Sequence, residues 1–265
     1  MNGRTAEKKS NENRIKQGRW IPPVSIIGGI CIWEILVRLS GYPPFILPAP
    51  SRIFNRFLSA SRAGILWPNV WVSFYEVLLG LLIGTAAALT AGYFLAHSPA
   101  AEKIIFPYIV VSQAIPLAAI APLLIIWFGS GVRPKILICS LVVFFPLLIN
   151  ILVGYRELEN NLSDLMTSMK AGRMARLRYL ELPGILPVLL GGLRISATLS
   201  VIGAVVGELS GADAGLGYLI NIARGQYDTA LVFVAVTMLM VIALALYGTV
   251  LLLEKKLLVW NEERE

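Results

Sequence analysis

The residues able to do chemistry are few in this chain, and they do not assemble into a reactive set. His97 is the single histidine, too little for an imidazole metal centre. Cys31 and Cys139 each fall inside an apolar run, so neither a disulfide framework nor a thiolate metal site is legible. His-Glu-x-x-His and Gly-x-Ser-x-Gly stretches are absent, which removes the usual intramembrane and hydrolytic enzymes. No Gly-x-x-x-x-Gly-Lys-Ser/Thr sequence offers a phosphate cradle; GADAGLG at 211–217 is Gly-rich but lacks the lysine, and it reads as an outer loop. The polar residues that remain inside or beside apolar runs are candidates for a solute passage: Ser112, Gln113 and Pro116, then Asn150, Ser196 and Glu208. Ser112 and Gln113 lie one turn before Pro116, where they either repair carbonyls freed by the proline or face a passage. Glu208 closes its apolar run as gate, structural anchor or simple boundary residue. The ionisable groups of the spans sit near the span ends, where water is within reach.

Such residues need a scaffold, and composition sets its class. The 265 residues are 57% hydrophobic and 15% charged, with a mean hydropathy of +0.73, whereas soluble domains carry about 25% charged residues. This is an all-α membrane protein. Apolar runs at about 20–40, 71–96, 104–128, 135–155, 185–207 and 230–253 are each long enough to cross a bilayer as a helix. Residues 1–19 and 256–265 are left as polar tails, the first of them disordered, and 156–183 as the sizeable loop. Lys and Arg divide unevenly between the faces: fifteen lie on the side of the tails and that loop, seven on the other, and Arg194 lies just inside the fifth run. Both tails are therefore expected in the cytoplasm. The formal charge of +7 records this topology rather than nucleic-acid binding.

The runs also carry packing signals. Gly80, Gly84, Ala88 and Gly92 make one helix face without side chains, and Gly192, Ser196, Ser200 and Ala204 repeat the device, so close helix contact is expected. Pro107, Pro116 and Pro122 predict a kinked or opened third span. Glu34 and Arg38, four apart, can pair on one helix face. PAPSRIFNRFLSASRAGILW reads as an amphipathic helix on the outer surface, capped by Ser51, with Ile53, Phe54, Phe57 and Leu58 opposite Arg52, Arg56 and Arg62.

The loop GYRELENNLSDLMTSMKAGRMARLRYLELPGILP is the most specific stretch. Met174, Leu177 and Leu180 form an apolar stripe beside Arg173, Arg176 and Arg178, in a short helix expected to end ahead of Pro183. Its physical reading is shared between anionic lipid and a soluble protein partner. Here the chain resembles the permeases of bacterial ATP-binding cassette importers, whose loop signature is Glu-Ala-Ala, three residues, Gly, nine residues, Ile, one residue, Leu-Pro. The same spacing gives Asp164-Leu165-Met166, Lys170, Leu180 and Leu182-Pro183 in this sequence; the glycine has become Lys170 and Ala-Ala has become Leu-Met. SQAIPLAAIAPLLIIWFGSGVRPK, FFPLLIN, LPGILPVLLGGLRIS and VIGAVVGELSGADAGLGYLI extend the likeness over about residues 30–255. They resemble the branch for nitrate, sulfonates, taurine, bicarbonate and the pyrimidine precursor of thiamine, and the third run is most similar to the pyrimidine-precursor permeases.

The resemblance implies a six-helix bundle of the type I importer kind with a cytoplasmic coupling helix, in a bacterial inner membrane. It implies that Asp164, Ser168, Met169, Lys170, Ala171, Met174, Arg176 and Arg178 couple to a separate ATPase dimer, which holds ATP and magnesium. A second permease copy, in a homodimer, and an external solute-binding protein complete the expected assembly. Cargo is expected to be a thiamine pyrimidine precursor, with sulfonate, taurine or nitrate as the alternative within the same mechanism. A different mechanism, an autonomous secondary carrier, is the second expectation, motivated by Ser112, Gln113 and the broken third span.

Overall fold

The computed structural model describes residues 25–158 and 160–258; the tail read over 1–19, the opening of the first run and the C-terminal tail from 259 onward lie outside them. Among the described residues every regular element is helical. Helix α1 covers 25–40. Its Glu34 and Arg38 pair at 2.6 Å, as the four-residue spacing requires. Helix α2 (Pro50–Arg62) begins one residue ahead of the expected cap. Proline fixes a helical φ and needs no partner for a missing N–H, so Pro50 takes the first helical position and Ala49 becomes the cap. Ser51 is consequently inside the helix, and its backbone N–H and hydroxyl both donate to the Glu34 carboxylate, at 3.0 and 2.8 Å. Ile53 and Phe57 pack on the core while Phe54 stays exposed, and Arg56 pairs with Asp228 at 2.7 Å.

Helix α3 (Leu66–Ala96) starts five residues before the apolar run does; polar Asn69 and Ser73 are buried on that added stretch, so hydropathy alone missed it. The third run, expected to be kinked or opened by its prolines, is two helices, α4 (Pro99–Gln113) and α5 (Leu117–Phe128), bent by 97°. Pro116 occupies the break with an extended backbone (ψ 111°), and Ser112 Oγ donates to Tyr108 O at 2.7 Å. Pro107 and Pro122 remain within their helices. Helix α6 (Val132–Arg156) follows, then α7 (Asn160–Ser168), α8 (Arg173–Arg176), a π-helical turn (Leu177–Glu181), α9 (Leu182–Leu209), α10 (Leu216–Gly225) and α11 (Thr229–Leu257). Among the described residues four stretches are long and apolar enough to cross a membrane, Leu66–Ala96, Val132–Arg156, Arg173–Leu209 and Thr229–Leu257, and α4 with α5 passes as a bent pair.

The helix of the loop does not end before Pro183 as expected. Leu182 N–H donates to Leu177 O, five residues back, so Pro183 enters at a widened turn where its missing donor and ring are tolerated. The helix therefore runs unbroken from Arg173 to Leu209.

Helix α6 forms the centre, packed between α3 and α9. A Cβ added at Gly80 would lie 2.1 Å from Cys139 Cβ, and one at Gly203 would lie 2.9 Å from Cys139 Cα. Two small-residue faces thus press on α6 from either side, burying Cys139, Val143, Leu147, Leu148, Ile151 and Leu152. Leaving side chains out at these points lets backbones approach and gain dispersion contact that lipid cannot match.

Candidate functional site

The break between α4 and α5 opens a groove against α6 and α9. Ser112, Gln113, Ile115, Leu117, Ile120, Leu141, Val142, Phe145, Pro146 and Leu199 line a cavity of about 340 Å³. Of the six passage candidates, Ser112 and Gln113 reach it, and Pro116 shapes it from the bend. Asn150 lies in the α6–α9 contact, where its Nδ2 donates to Pro146 O at 3.0 Å and a Cβ at Gly192 would touch it. Ser196 is fully buried in α9. Neither joins the cavity lining, and neither does Glu208.

Glu208 belongs instead to a buried charged cluster. Glu208, Glu76 and Lys135 are 1%, 0% and 3% exposed, so these ionisable groups, with Lys135 and Glu208 close to the ends of α6 and α9, are enclosed by protein rather than open to water. Lys135 Nζ stands 3.2 Å from Glu76 Oε1 and 3.5 Å from Ala214 O. Ser73 Oγ donates to Glu208 Oε1 at 2.5 Å, and Gly217 N–H donates to Oε2. Gly215 N–H donates to Asn69 Oδ1 at 2.8 Å, and Leu216 N–H to Ser73 Oγ at 2.7 Å. The unpaired amides that open α10 are thus satisfied by α3 and α9. The Gly-rich loop cradles a carboxylate of its own chain: a Cβ at Gly215 would stand 2.3 Å from Glu208 Cδ. Glu208 is hydrogen-bonded from α3 and α10, and the Lys135–Glu76 pair joins α6 to α3, so the cluster links α3, α6, α9 and α10. Sequence reasoning passed over Glu76 and treated Lys135 as a face marker; the available signal was a carboxylate inside the 71–96 run.

At the opposite ends of α3 and α6 lies the loop segment. Helix α7 closes on a two-bond C-cap: Lys170 N–H donates to Thr167 O and Ala171 N–H to Met166 O, both at 3.0 Å. Lys170 supplies the left-handed residue at φ 52°, a conformation in which glycine carries no penalty. The signature's glycine position is thus a helix stop, and Gly172 then caps α8. Asp164, Ser168, Met169, Lys170, Met174 and Arg178 are exposed, while Ala171 and Arg176 are half-buried. Met169 and Met174 expose 70% and 74% of their surface, which leaves two large apolar side chains beside Lys170, Arg173 and Arg178 without cover in the monomer. Of the expected stripe, Leu180 turns inward instead, 7% exposed. Arg176 Nε pairs with the buried Glu181 at 3.2 Å.

Comparison with known proteins places this architecture. The family model for the binding-protein-dependent transport system inner membrane component matches residues 80–259. The riboflavin transport system permease protein RibX of Chloroflexus aurantiacus is 43% identical over 90% of this chain and 89% of its own. The formylaminopyrimidine transport permease protein ThiX of Halalkalibacterium halodurans is 30% identical over 88% and 92%. The aliphatic sulfonates transport permease protein SsuC of Bacillus subtilis, a putative assignment, is 31% identical over 100% and 95%. The fold is similar to that of a chain of the MetNI methionine ABC transporter, whose structure shows inward facing conformations, with a TM-score of 0.66, 16% identity, and coverage of 74% of this chain and 98% of that one. The match spanning most of the chain, joined to the helical bundle and its loop signature, makes this protein a member of the binding-protein-dependent ABC importer permease family.

Proposed function

We propose that this permease moves a small, uncharged nitrogen heterocycle of the flavin or pyrimidine type, driven by a separate ATPase that grips α7 and α8. One observation carries the substrate reading: the groove at the α4–α5 break is lined by apolar side chains with one amide and one hydroxyl, Gln113 and Ser112, and holds no charged residue. An apolar slot with a few polar groups suits a planar heterocycle, whereas a sulfonate entering it would shed its hydration without a cation to receive it. The likeness to the riboflavin and formylaminopyrimidine permeases supports the same class. Both tails lie in the cytoplasm of a bacterial cell, a second copy of the chain completes the pathway, and a solute-binding protein delivers cargo on the side of α2 and α10. The deciding experiment is uptake into proteoliposomes holding the permease, its ATPase and its binding protein. Labelled riboflavin or formylaminopyrimidine is expected to accumulate only with ATP, and taurine not at all. Accumulation of taurine alone overturns the heterocycle assignment; uptake by the permease alone on an ion gradient overturns the ATP-driven mechanism in favour of a secondary carrier.

A further inference from the structure

We infer that Glu181 and His97 form a positioning joint that transmits displacement of the loop helix to the rest of the bundle; this rests on the ATPase-driven reading above. Glu181 is the last residue of the π-helical turn, between the loop and the long α9, and it is 3% exposed. Three elements converge on its carboxylate. Arg176 of α8 stands 3.2 Å from Oε1, His97 at the end of α3 stands 3.1 Å from the same oxygen, and Tyr155 of α6 donates to Oε2 at 3.5 Å. His97 is held in turn: Nδ1 lies 2.8 Å from Tyr93 O, and its ring packs tilted against Tyr93 with centroids 4.4 Å apart and meets the edge of Tyr155 at 5.8 Å. Nδ1 thus faces a carbonyl and Nε2 a carboxylate, so the ring is held from both of its nitrogens.

A plain helix junction would be packed with aliphatic side chains. Here a charged group is buried where the loop helix meets α3 and α6, and pulling the loop moves its Arg176 end first. Glu181 is buried while Arg176 and His97 reach it from the partly exposed side, so parting the contact strands the Glu181 carboxylate, which resists separation. Glu181 therefore carries the corner of α3 along with the loop instead of letting the two slide. No residue of the joint lines the α4–α5 groove, so it acts through other residues.

The test reads movement rather than cargo. In a Cys31→Ser background, a Ser112→Cys label in the groove reports access to a membrane-impermeant maleimide, in liposomes holding the permease with its ATPase, with and without ATP plus vanadate. ATP plus vanadate is expected to change the labelling rate about tenfold, a free-energy difference of about 1.4 kcal/mol. His97→Ala and Glu181→Gln are expected to cut that change to about twofold while the ATPase still co-purifies, and His97→Gln, which keeps a donor toward Glu181, is expected to restore part of it. His97 is partly exposed, so its replacement reads the joint even where Glu181→Gln fails to fold. An undiminished ATP response in His97→Ala with the ATPase bound overturns the joint alone. Absence of any response in the parent protein with bound ATPase overturns the ATP-driven reading and the joint with it.

Discussion

At the scale of single residues, two backbone positions carry more of the architecture than any reactive group. Lys170 ends α7 in a left-handed conformation, which costs a side-chain-bearing residue about 1 kcal/mol relative to glycine. Lys170→Gly is therefore expected to slow hydrogen exchange of the α7 amides by about fivefold, corresponding to roughly 1 kcal/mol of added helix stability. Unchanged exchange would show that the strain is relieved elsewhere. Gly215 is the opposite case. Its φ of +117° and the 2.3 Å approach of a new Cβ to Glu208 leave no room for a methyl group, so Gly215→Ala forces the carboxylate from its donors. A loss of on the order of 2 to 3 kcal/mol is expected, read as a lower midpoint of thermal unfolding in detergent. The loop signature made Lys170 conspicuous in the sequence, because its spacing marks one position as glycine. The Glu208 cradle was not visible, because its partners Asn69 and Ser73 lie about 140 positions away, and nothing local distinguishes GADAGLG wrapped round a carboxylate from an ordinary loop.

At the scale of elements, prolines set the limit of what could be read. Pro107, Pro122, Pro146 and Pro187 all remain inside helices, while Pro116 separates two helices by 97°. Residue type is the same in each case, so the break is decided by its surroundings: Ala114 and Ile115 leave the helical ladder ahead of Pro116, and α5 packs on α6 and α9 from a new direction. The glycine strips, by contrast, were legible, because four-residue spacing fixes one helix face whatever that face meets. The expected stop before Pro183 failed for a related reason, since a π turn absorbs the proline and no residue pattern announces such a turn. Pro116→Ala restores the missing donor and lets α4 and α5 move toward one straight helix. Uptake is expected to fall at least about tenfold, because the groove would close, with ATPase co-purification unchanged. Undiminished uptake would remove the bend from the pathway.

At the scale of the whole molecule, the two ends of α6 face different tasks. One end is pinned by the buried Lys135–Glu76 pair and the Glu208 cradle; at the other, Tyr155 and Arg156 meet the loop joint and α4, with Arg156 Nε donating to Glu102 at 2.9 Å. Between them α6 is clamped by glycine faces, which packs α3, α6 and α9 closely into one block. In the ATPase-driven function proposed above, force applied at α7 and α8 would turn this block and leave its packing intact. The loop segment is separable from the block only up to Arg173, because from there the helix is continuous with α9. Replacing residues 160–172 with a Gly/Ser linker of equal length is accordingly expected to leave the thermal midpoint within about 2 °C, as surface changes away from packed features do. The same replacement should abolish co-purification with the ATPase. Lys170→Glu, which reverses one charge on that exposed segment, is expected to weaken ATPase association about fivefold, the scale of a rim charge worth about 1 kcal/mol, and more so at low salt. Association that survives both changes would place the ATPase contact somewhere other than α7.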